Sequence, residues 1–217
     1  MTSHLQIDVS FDLICPWCLI GKVSLEQAVI KLSEQYPSVG VNVKWHGVQL
    51  LPDVPRDGLP FQAFYEKRLG GPQARSQRQR QVNAAAAKVG LHIDFDRIKT
   101  FPNTAKAHAL LAFMSTCSGE KSYDKMLDRL FHGYFFFGED IGSDELLYEI
   151  AQAAGIEREV LGERLEQPAS QALMDGRPLP VSGVPHYVLN KKTEISGAQS
   201  PEQLFALMQN LLREKPP

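Results

Sequence analysis

The feature that most constrains the fold is a β-α-β pattern at the start of the chain, with two cysteines at its first turn. Apolar and polar residues alternate over residues 5–11, which predicts a strand that ends just before Cys15. Apolar residues then recur at helical spacing over 25–36, and alternation returns over 39–45. A strand, a helix and a second strand in this order normally form a parallel pair covered by the helix.

The rest of the chain predicts a helical block followed by a short β-β-α end. Three prolines and a glycine in residues 51–60 indicate a linker. Residues 61–174 are expected to contain no strand. Strands are predicted again at 187–189 and 194–196, and Ser200 with the proline after it opens a final helix. Helices are predicted over residues 84–89, 104–117, 123–136 and 144–154. The element order therefore indicates an α/β protein.

Composition excludes several classes of function. The chain has 217 residues, 43% of them hydrophobic, which is enough for a full core. A formal net charge of −2 gives no general attraction to nucleic acid or anionic lipid, and we expect neither as a partner. No secretory signal or membrane-spanning stretch is visible, which predicts a cytoplasmic protein. A run of arginines and glutamines at Arg75, Arg78 and Arg80 is interpreted as a solvated helix face.

Two of the three cysteines form the motif Cys15-Pro16-Trp17-Cys18, which predicts redox chemistry. Pro16 suits the first turn of a helix, so Cys15 would lie where free backbone N–H groups and the helix dipole favour an anion. That position stabilises a thiolate, and we expect Cys15 to be exposed and to be the attacking sulfur. Cys18, one turn later, would resolve the mixed disulfide.

Two other interpretations of the cysteine pair stay open. The same spacing occurs in zinc sites, but the remaining cysteine, Cys117, has only His108 in its vicinity, and we expect no metal. The pair could also be a redox-inactive relic. His108 is interpreted as a hydrogen-bonded interior histidine, and Cys117 as a buried structural thiol.

The chain resembles the DsbA-like thioredoxin-fold family, and especially its FrnE-type cytosolic branch. The resemblance spans nearly the whole chain in the expected order. It is carried by Ile14 to Lys22, Asn103-Thr104, Ala107-His108, Asp140-Ile141, Ser182-Gly183-Val184-Pro185 and Ile195 to Gln199.

The resemblance implies a thioredoxin-like fold with an inserted α-helical domain. Residues 1–55 and 178–217 would form the discontinuous thioredoxin-like domain, and residues 56–177 the helical insertion. It also implies a cis peptide bond between Val184 and Pro185, in a loop that lines the substrate beside the active sulfur. Family members often have threonine or a bulky apolar residue at the next position, where this chain has His186. A partly exposed loop histidine is the preferred interpretation, and a group that tunes Cys15 or reaches the substrate is the alternative.

The residue types around the cysteines also bear on the redox direction and on glutathione. Trp17 lacks the positive charge that a histidine there could offer a thiolate, so reduction or isomerisation is favoured over net oxidation. No cofactor is expected other than glutathione as a redox co-substrate. Gln199 and Ser200 could bind its γ-glutamyl end at the start of the final helix, although Ser200 as a simple helix cap is preferred.

Three hypotheses for function follow. The first is a thiol-disulfide oxidoreductase or disulfide isomerase that acts on protein or small-molecule disulfides. The second is a glutathione-linked transferase or isomerase of the kappa or hydroxychromene-carboxylate isomerase type. The family resemblance implies a serine at position 15 in that type, so Cys15 argues against it. The third is a non-enzymatic module that binds proteins in the groove near Pro185.

Overall fold

The fold is built on a four-stranded sheet in which the first strand lies in the interior. A computed structural model of the protein describes residues 4–117, 120–165 and 183–213. The strands are β1 (His4–Phe11), β2 (Gly40–Gly47), β5 (His186–Leu189) and β6 (Thr193–Ser196), in the order β2-β1-β5-β6. β1 pairs parallel to β2 and antiparallel to β5, and β5 pairs antiparallel to β6. The predicted β-α-β and β-β-α ends thus meet in one sheet, and the thioredoxin-like α/β fold is confirmed.

The helix α1 (Pro16–Gln35) and the last helix α8 (Pro201–Arg213) pack against one face of this sheet. The reason is the alternation of β1, because Leu5, Ile7 and Val9 are buried in the core that these helices share with the sheet. Both helices carry apolar stripes that meet this face, and the resulting core is built mainly from Leu5, Ile7, Val9, Leu25, Ala28, Leu32, Tyr187, Leu189, Leu204 and Met208. This core holds the start of α1, and with it the cysteine pair, at the carboxyl end of β1.

A helical block lies in the chain between β2 and β5. It contains α2 (Phe61–Leu69), α3 (Pro72–Ala87), α4 (Ala105–Cys117), α5 (Glu120–His132), α6 (Asp144–Ala153) and α7 (Arg158–Leu165). Its core continues into the end of β1 and the start of α1, where the ring of Phe11 packs against Trp45, His108 and Phe131. The cysteine pair therefore lies at the junction between the sheet and the helical block.

The structure corrects the sequence prediction of the helical block in several places. Two short strands, β3 (Leu59–Pro60) and β4 (Thr100–Phe101), pair antiparallel where no strand was predicted. Two residues show no alternation, so no periodicity could reveal them. The helices α2 and α7 were also missed, and α3 begins twelve residues before the predicted position 84. The predicted helix over 123–136 ends at His132 and continues as a π-helical turn over Gly133–Phe137.

Three sequence predictions fall outside the described residues. The side chain of Cys117, the residue Ser182 and the predicted domain boundary at 177/178 all lie there. The division into a thioredoxin-like domain and a helical insertion therefore stays a prediction.

Candidate active site

Cys15 occupies the N-cap of α1, and Pro16 takes the first helical position. The backbone of Cys15 is extended, and its N–H donates to the carbonyl of Asp12 over 3.1 Å, which closes the turn after β1. Its carbonyl accepts from Cys18 N at 2.9 Å. The sulfur thus stands at the end of a 20-residue helix whose first N–H groups and dipole favour a negative charge.

The two cysteines are free thiols with different surroundings. Cys15 is 8% exposed and Cys18 only 1%, so the expectation of an exposed Cys15 is wrong in absolute terms. Cys15 nevertheless lines an open cavity. Burial, and after it the hydrogen bond and charge of Cys15, raise the pKa of Cys18 well above its usual value. Cys15 is therefore the accessible sulfur and Cys18 the protected, protonated one.

One side of Cys15 is formed by the loop before β5, which we call the sheet wall: Val184, Pro185 and His186. The thiol of Cys15 donates to the carbonyl of Val184 at 3.7 Å. The Val184–Pro185 bond is cis, as the resemblance implied. This wall therefore meets the sulfur with a main-chain oxygen.

His186 was interpreted as a partly exposed loop residue, and this is wrong. It is the first residue of β5, is 8% exposed and lies opposite Ser10 of β1. Its Nδ1 lies 2.8 Å from Ser196 Oγ on β6, and its Nε2 lies 3.6 Å from Glu194. The pairing of strands distant in sequence, which no local pattern encodes, buries this ring.

The other side of Cys15 is formed by α2 and α3, which we call the helix wall. A cavity of about 320 Å³ lies between this wall and the cysteine motif. Cys15, Pro16 and Trp17 line it from the motif side. Its other lining residues are mostly apolar and aromatic, and include Leu50, Leu51, Phe61, Phe64, Tyr65, Val82, Phe95 and Phe101.

Arginine side chains of the helix wall also line the cavity, so the solvated-face interpretation of the arginine run is wrong for Arg75, whereas Arg78 is exposed and lines the cavity as well. The Arg78 guanidinium lies 5.5 Å from the centroid of the Trp17 ring. Arg75 is 15% exposed, and its Nε lies 3.3 Å from Glu66 on α2. A spacing signal was present in the sequence, because Arg75, Arg78 and Val82 fall on one helix face. The sequence does not show which element packs against this face of the helix.

A buried acid lies directly before the cysteine motif. Asp12 is fully buried, and its carboxylate accepts from Leu50 N at 2.8 Å and lies 3.1 Å from His108 Nε2. His108 is interior, as predicted, but its Nδ1 has no hydrogen-bond partner among the described residues. The pair ties the turn after β1 to α4. Asp12 was not among the predicted site residues, although its place three residues before Cys15 at the end of a strand is visible in the sequence.

Gln199 and Ser200 make local contacts at the start of α8. Ser200 Oγ accepts from Gln203 N at 3.2 Å, and the Gln203 side chain accepts from Ser200 N at 3.0 Å. Gln199 Nε2 donates to the carbonyls of Ser196 and Gly197. The reciprocal pair is a capping box, which accords with the helix-cap interpretation of Ser200.

Within residues 4–117, 120–165 and 183–213, no cluster of three or more histidine, cysteine or acidic side chains could hold a metal ion. None of the helices in those ranges is long and apolar enough to cross a membrane.

Comparison with known proteins gives a family and a set of relatives. A family model described as the DSBA-like thioredoxin domain matches residues 6–209. A crystal structure of a probable DsbA oxidoreductase from Streptomyces coelicolor superposes with a TM-score of 0.83 and 27% identity, over 99% of this chain and 92% of that one. The uncharacterised protein YwbO of Bacillus subtilis (strain 168) is 24% identical over 157 residues, which is 72% of this chain and 68% of YwbO.

A more distant solved structure shares the fold. The cytosolic disulfide reductase DsbM from Pseudomonas aeruginosa, solved with GSH, superposes with a TM-score of 0.63 at 19% identity, over 96% of this chain and 99% of that one.

Proposed function

Because the chain belongs to the DSBA-like thioredoxin domain family, we propose that it is a thiol-disulfide oxidoreductase or disulfide isomerase that uses Cys15 and Cys18. The observation that carries the proposal is the position of Cys15, at the N-cap of α1 and in the wall of an open cavity, with the free thiol of Cys18 one turn away. We further propose that the protein belongs to the FrnE-type cytosolic branch and works in the cytoplasm.

The proposed chemistry uses two thiol exchanges. The Cys15 thiolate attacks a substrate disulfide, the substrate S–S bond breaks, and one substrate sulfur leaves as a thiolate. Cys18 then loses its proton and attacks Cys15 Sγ. The second substrate thiolate leaves, and a Cys15–Cys18 disulfide remains. The substrate gains two electrons and the protein loses two, and in isomerisation a substrate thiol reverses the first step instead.

The sheet wall has a defined role in this scheme. The carbonyl of Val184, 3.7 Å from the sulfur, offers main-chain hydrogen bonding to an extended substrate segment beside Cys15. Main-chain contacts carry no information about side chains, so they suit substrates of varied sequence. We propose Val184 and Pro185 as substrate-contacting residues, and His186, held by Ser196, as part of their support.

The test is insulin reduction by dithiothreitol with and without the protein. Wild type should accelerate it, and Cys15→Ser should reduce the rate to the uncatalysed background. Cys18→Ser should trap a mixed disulfide on Cys15 that mass spectrometry detects. Cys117→Ser is the matched control and should behave as wild type. A wild-type protein that never turns over would contradict the proposal, and would leave the glutathione-linked enzyme and the binding module as the alternatives.

Reduction or isomerisation is the proposed direction, because Trp17 itself offers no charge to a thiolate. Arg78 lies over the Trp17 ring, however, and brings a positive charge close to the motif. A cation beside a thiolate stabilises the reduced pair and makes the disulfide more oxidising. A redox titration of Cys15 and Cys18 against glutathione gives the reduction potential of the pair. The difference between wild type and Arg78→Gln gives the contribution of the Arg78 charge to that potential.

Glutathione is proposed as the redox co-substrate, and the DsbM structure with GSH supports this choice. Calorimetry with Cys15→Ser protein, which cannot form the mixed disulfide, tests it. Binding that weakens in Gln199→Ala and Ser200→Ala would assign the γ-glutamyl site to the start of α8. Heat that is unchanged in both variants would leave Ser200 as a helix cap only.

A further inference from the structure

The cavity between Cys15 and the helix wall has the size and lining of a small-molecule site. Its volume of about 320 Å³ falls at the lower end of the range for ligand sites, which is roughly 300–1,000 Å³. The rings of Phe61, Phe64 and Phe101 form an apolar surface, and Phe64 and Phe101 stack with their centroids 4.1 Å apart. A planar apolar group fits this surface better than a peptide backbone, whose polar groups would be left without partners there.

The helix wall brings positive charge to the same cavity. Arg68, Arg75 and Arg78 line it, and no acidic side chain among the described residues does. Glu66 pairs with Arg75, which leaves the charges of the other two arginines uncompensated by that carboxylate. Both are held against aromatic rings, Arg68 over Phe64 at 5.9 Å and Arg78 over Trp17 at 5.5 Å. Both distances lie within the roughly 6 Å of a cation–π contact, which favours guanidinium positions close to the cavity.

Buried donors in the lining add a second observation. Nη1 of Arg75 and Nε2 of Gln79 are buried, and no described residue accepts a hydrogen bond from either. A buried donor without an acceptor costs roughly 1–3 kcal/mol. Arg75 and Gln79 are one turn apart on α3, and both line the cavity. A carboxylate would supply acceptor oxygens to this pair and a counter-charge to the arginines.

We propose that this cavity is the substrate site for low-molecular-weight aromatic disulfides and thiols that carry a carboxylate. The ring lies against Phe64 and Phe101, the carboxylate contacts Arg75 and Gln79 or Arg78, and the sulfur reaches Cys15, which lines the same cavity. The inference rests on the function proposed above, because it names a substrate class for the same two cysteines.

Two chromogenic disulfides separate this inference from the general activity. 5,5′-Dithiobis(2-nitrobenzoate) is aromatic and carries carboxylates, and 4,4′-dithiodipyridine is aromatic and neutral. Cys15 would attack the S–S bond of either probe and release one aryl thiolate, and Cys18 would release the second. The protein thereby loses the two electrons that the probe gains. The rate with reduced protein, divided by the rate with free glutathione, corrects for the reactivity of each probe.

The wild-type protein should prefer the carboxylated probe by about tenfold or more in this normalised rate, the size expected for a charge-assisted contact worth about 1.4 kcal/mol. A formal net charge of −2 makes general attraction of an anion a poor explanation of such a preference. Arg75→Gln and Arg78→Gln should each reduce the preference several-fold, and Arg75→Lys should restore part of it if Arg75→Gln disturbs the contact with Glu66. The matched control is Arg80→Gln, an exposed residue of the same helix, which should keep the preference.

Each outcome supports or overturns a defined statement. A preference that depends on Arg75 and Arg78 but not on Arg80 supports the site. Equal normalised rates with the two probes would overturn the inference and leave the oxidoreductase intact. Competition by inorganic phosphate as strong as that by 2-nitrobenzoate would overturn the aromatic part, because a bare anion would then suffice. If neither probe reacted with Cys15, the proposed function itself would fail.

Discussion

On one side of Cys15 the protein presents main chain, and on the other it presents side chains. The sheet wall contacts the sulfur through the carbonyl of Val184, and the strand behind it is fixed by pairing with β1. The helix wall meets the cavity with aromatic rings and arginines from α2 and α3. A main-chain contact is the same for every substrate, whereas side chains distinguish one substrate from another. We therefore expect damage to the sheet wall to slow all disulfides alike, and damage to the helix wall to change selectivity.

The largest effect on stability is expected at Asp12, the fully buried acid before the cysteine motif. Asp12→Ala would leave Leu50 N and His108 Nε2 without their acceptor in the interior. We expect it to lower the free energy of unfolding by about 3 kcal/mol, because each buried donor left without an acceptor costs roughly 1–3 kcal/mol. Urea unfolding measures the change. Asp12→Asn keeps an acceptor oxygen and should lower the free energy of unfolding by less. Equal losses in the two variants would show that this retained oxygen does not contribute to stability.

The next effect should fall on the sheet wall. A methyl group at Gly21 of α1 would overlap the hydroxyl of the buried Tyr187 and lie 3.1 Å from Cγ of Pro185. Gly21→Ala should therefore destabilise the fold by about 2 kcal/mol, a typical cost of overpacking. It should slow reaction with the charged and neutral probes by the same factor. The control is Gly183→Ala, because an added Cβ there meets nothing within 4 Å. A change in the ratio of the two rates would contradict the division between the walls.

The third prediction concerns Cys18, which is 1% exposed. Burial and Cys15 raise its pKa, and only its thiolate can attack. Below the pKa, the thiolate fraction falls tenfold for each pH unit. Release of the second aryl thiolate should therefore accelerate by about tenfold per unit between about pH 6 and pH 8. Stopped-flow absorbance resolves this phase from the first, and a flat profile would show that Cys18 is already ionised in the mixed disulfide.

The smallest effect on stability is expected at the ion pair between α1 and α5. Lys22 of α1 is 2% exposed and pairs with Glu26 and with Asp128 of α5. Burial lowers the pKa of Lys22, but the charge of Glu26 and the hydrogen bond to Asp128 outweigh it and raise the pKa. Asp128 is 43% exposed, so Asp128→Asn should cost only about 0.5 kcal/mol. The test is thermal unfolding with and without salt, and a loss as large as that of Asp12→Ala would mean that Asp128 is buried in solution.

The sequence by itself determined the parts of this protein that depend on neighbours along the chain. Strand alternation predicted β1 and β2, helical spacing predicted α1 and α8, and Cys15 with Pro16 predicted a thiol at a helix start. These are local properties, since period and capping involve residues within a few positions of one another. Sequence also predicted a histidine in the interior at position 108, because it lies on an apolar stripe.

Only the tertiary structure decided which surfaces meet at Cys15. The pairing of β1 with β5 brings Val184 to the sulfur across 169 positions of sequence, and it buries His186 in a strand. The packing of α3 beside the cysteine motif places arginines of a polar sequence run in the lining of a cavity. Arg75 is 15% exposed there. Such contacts depend on how distant faces fit together. A residue pattern predicts that a helix or strand has a particular face. Which element packs against that face depends on the tertiary structure.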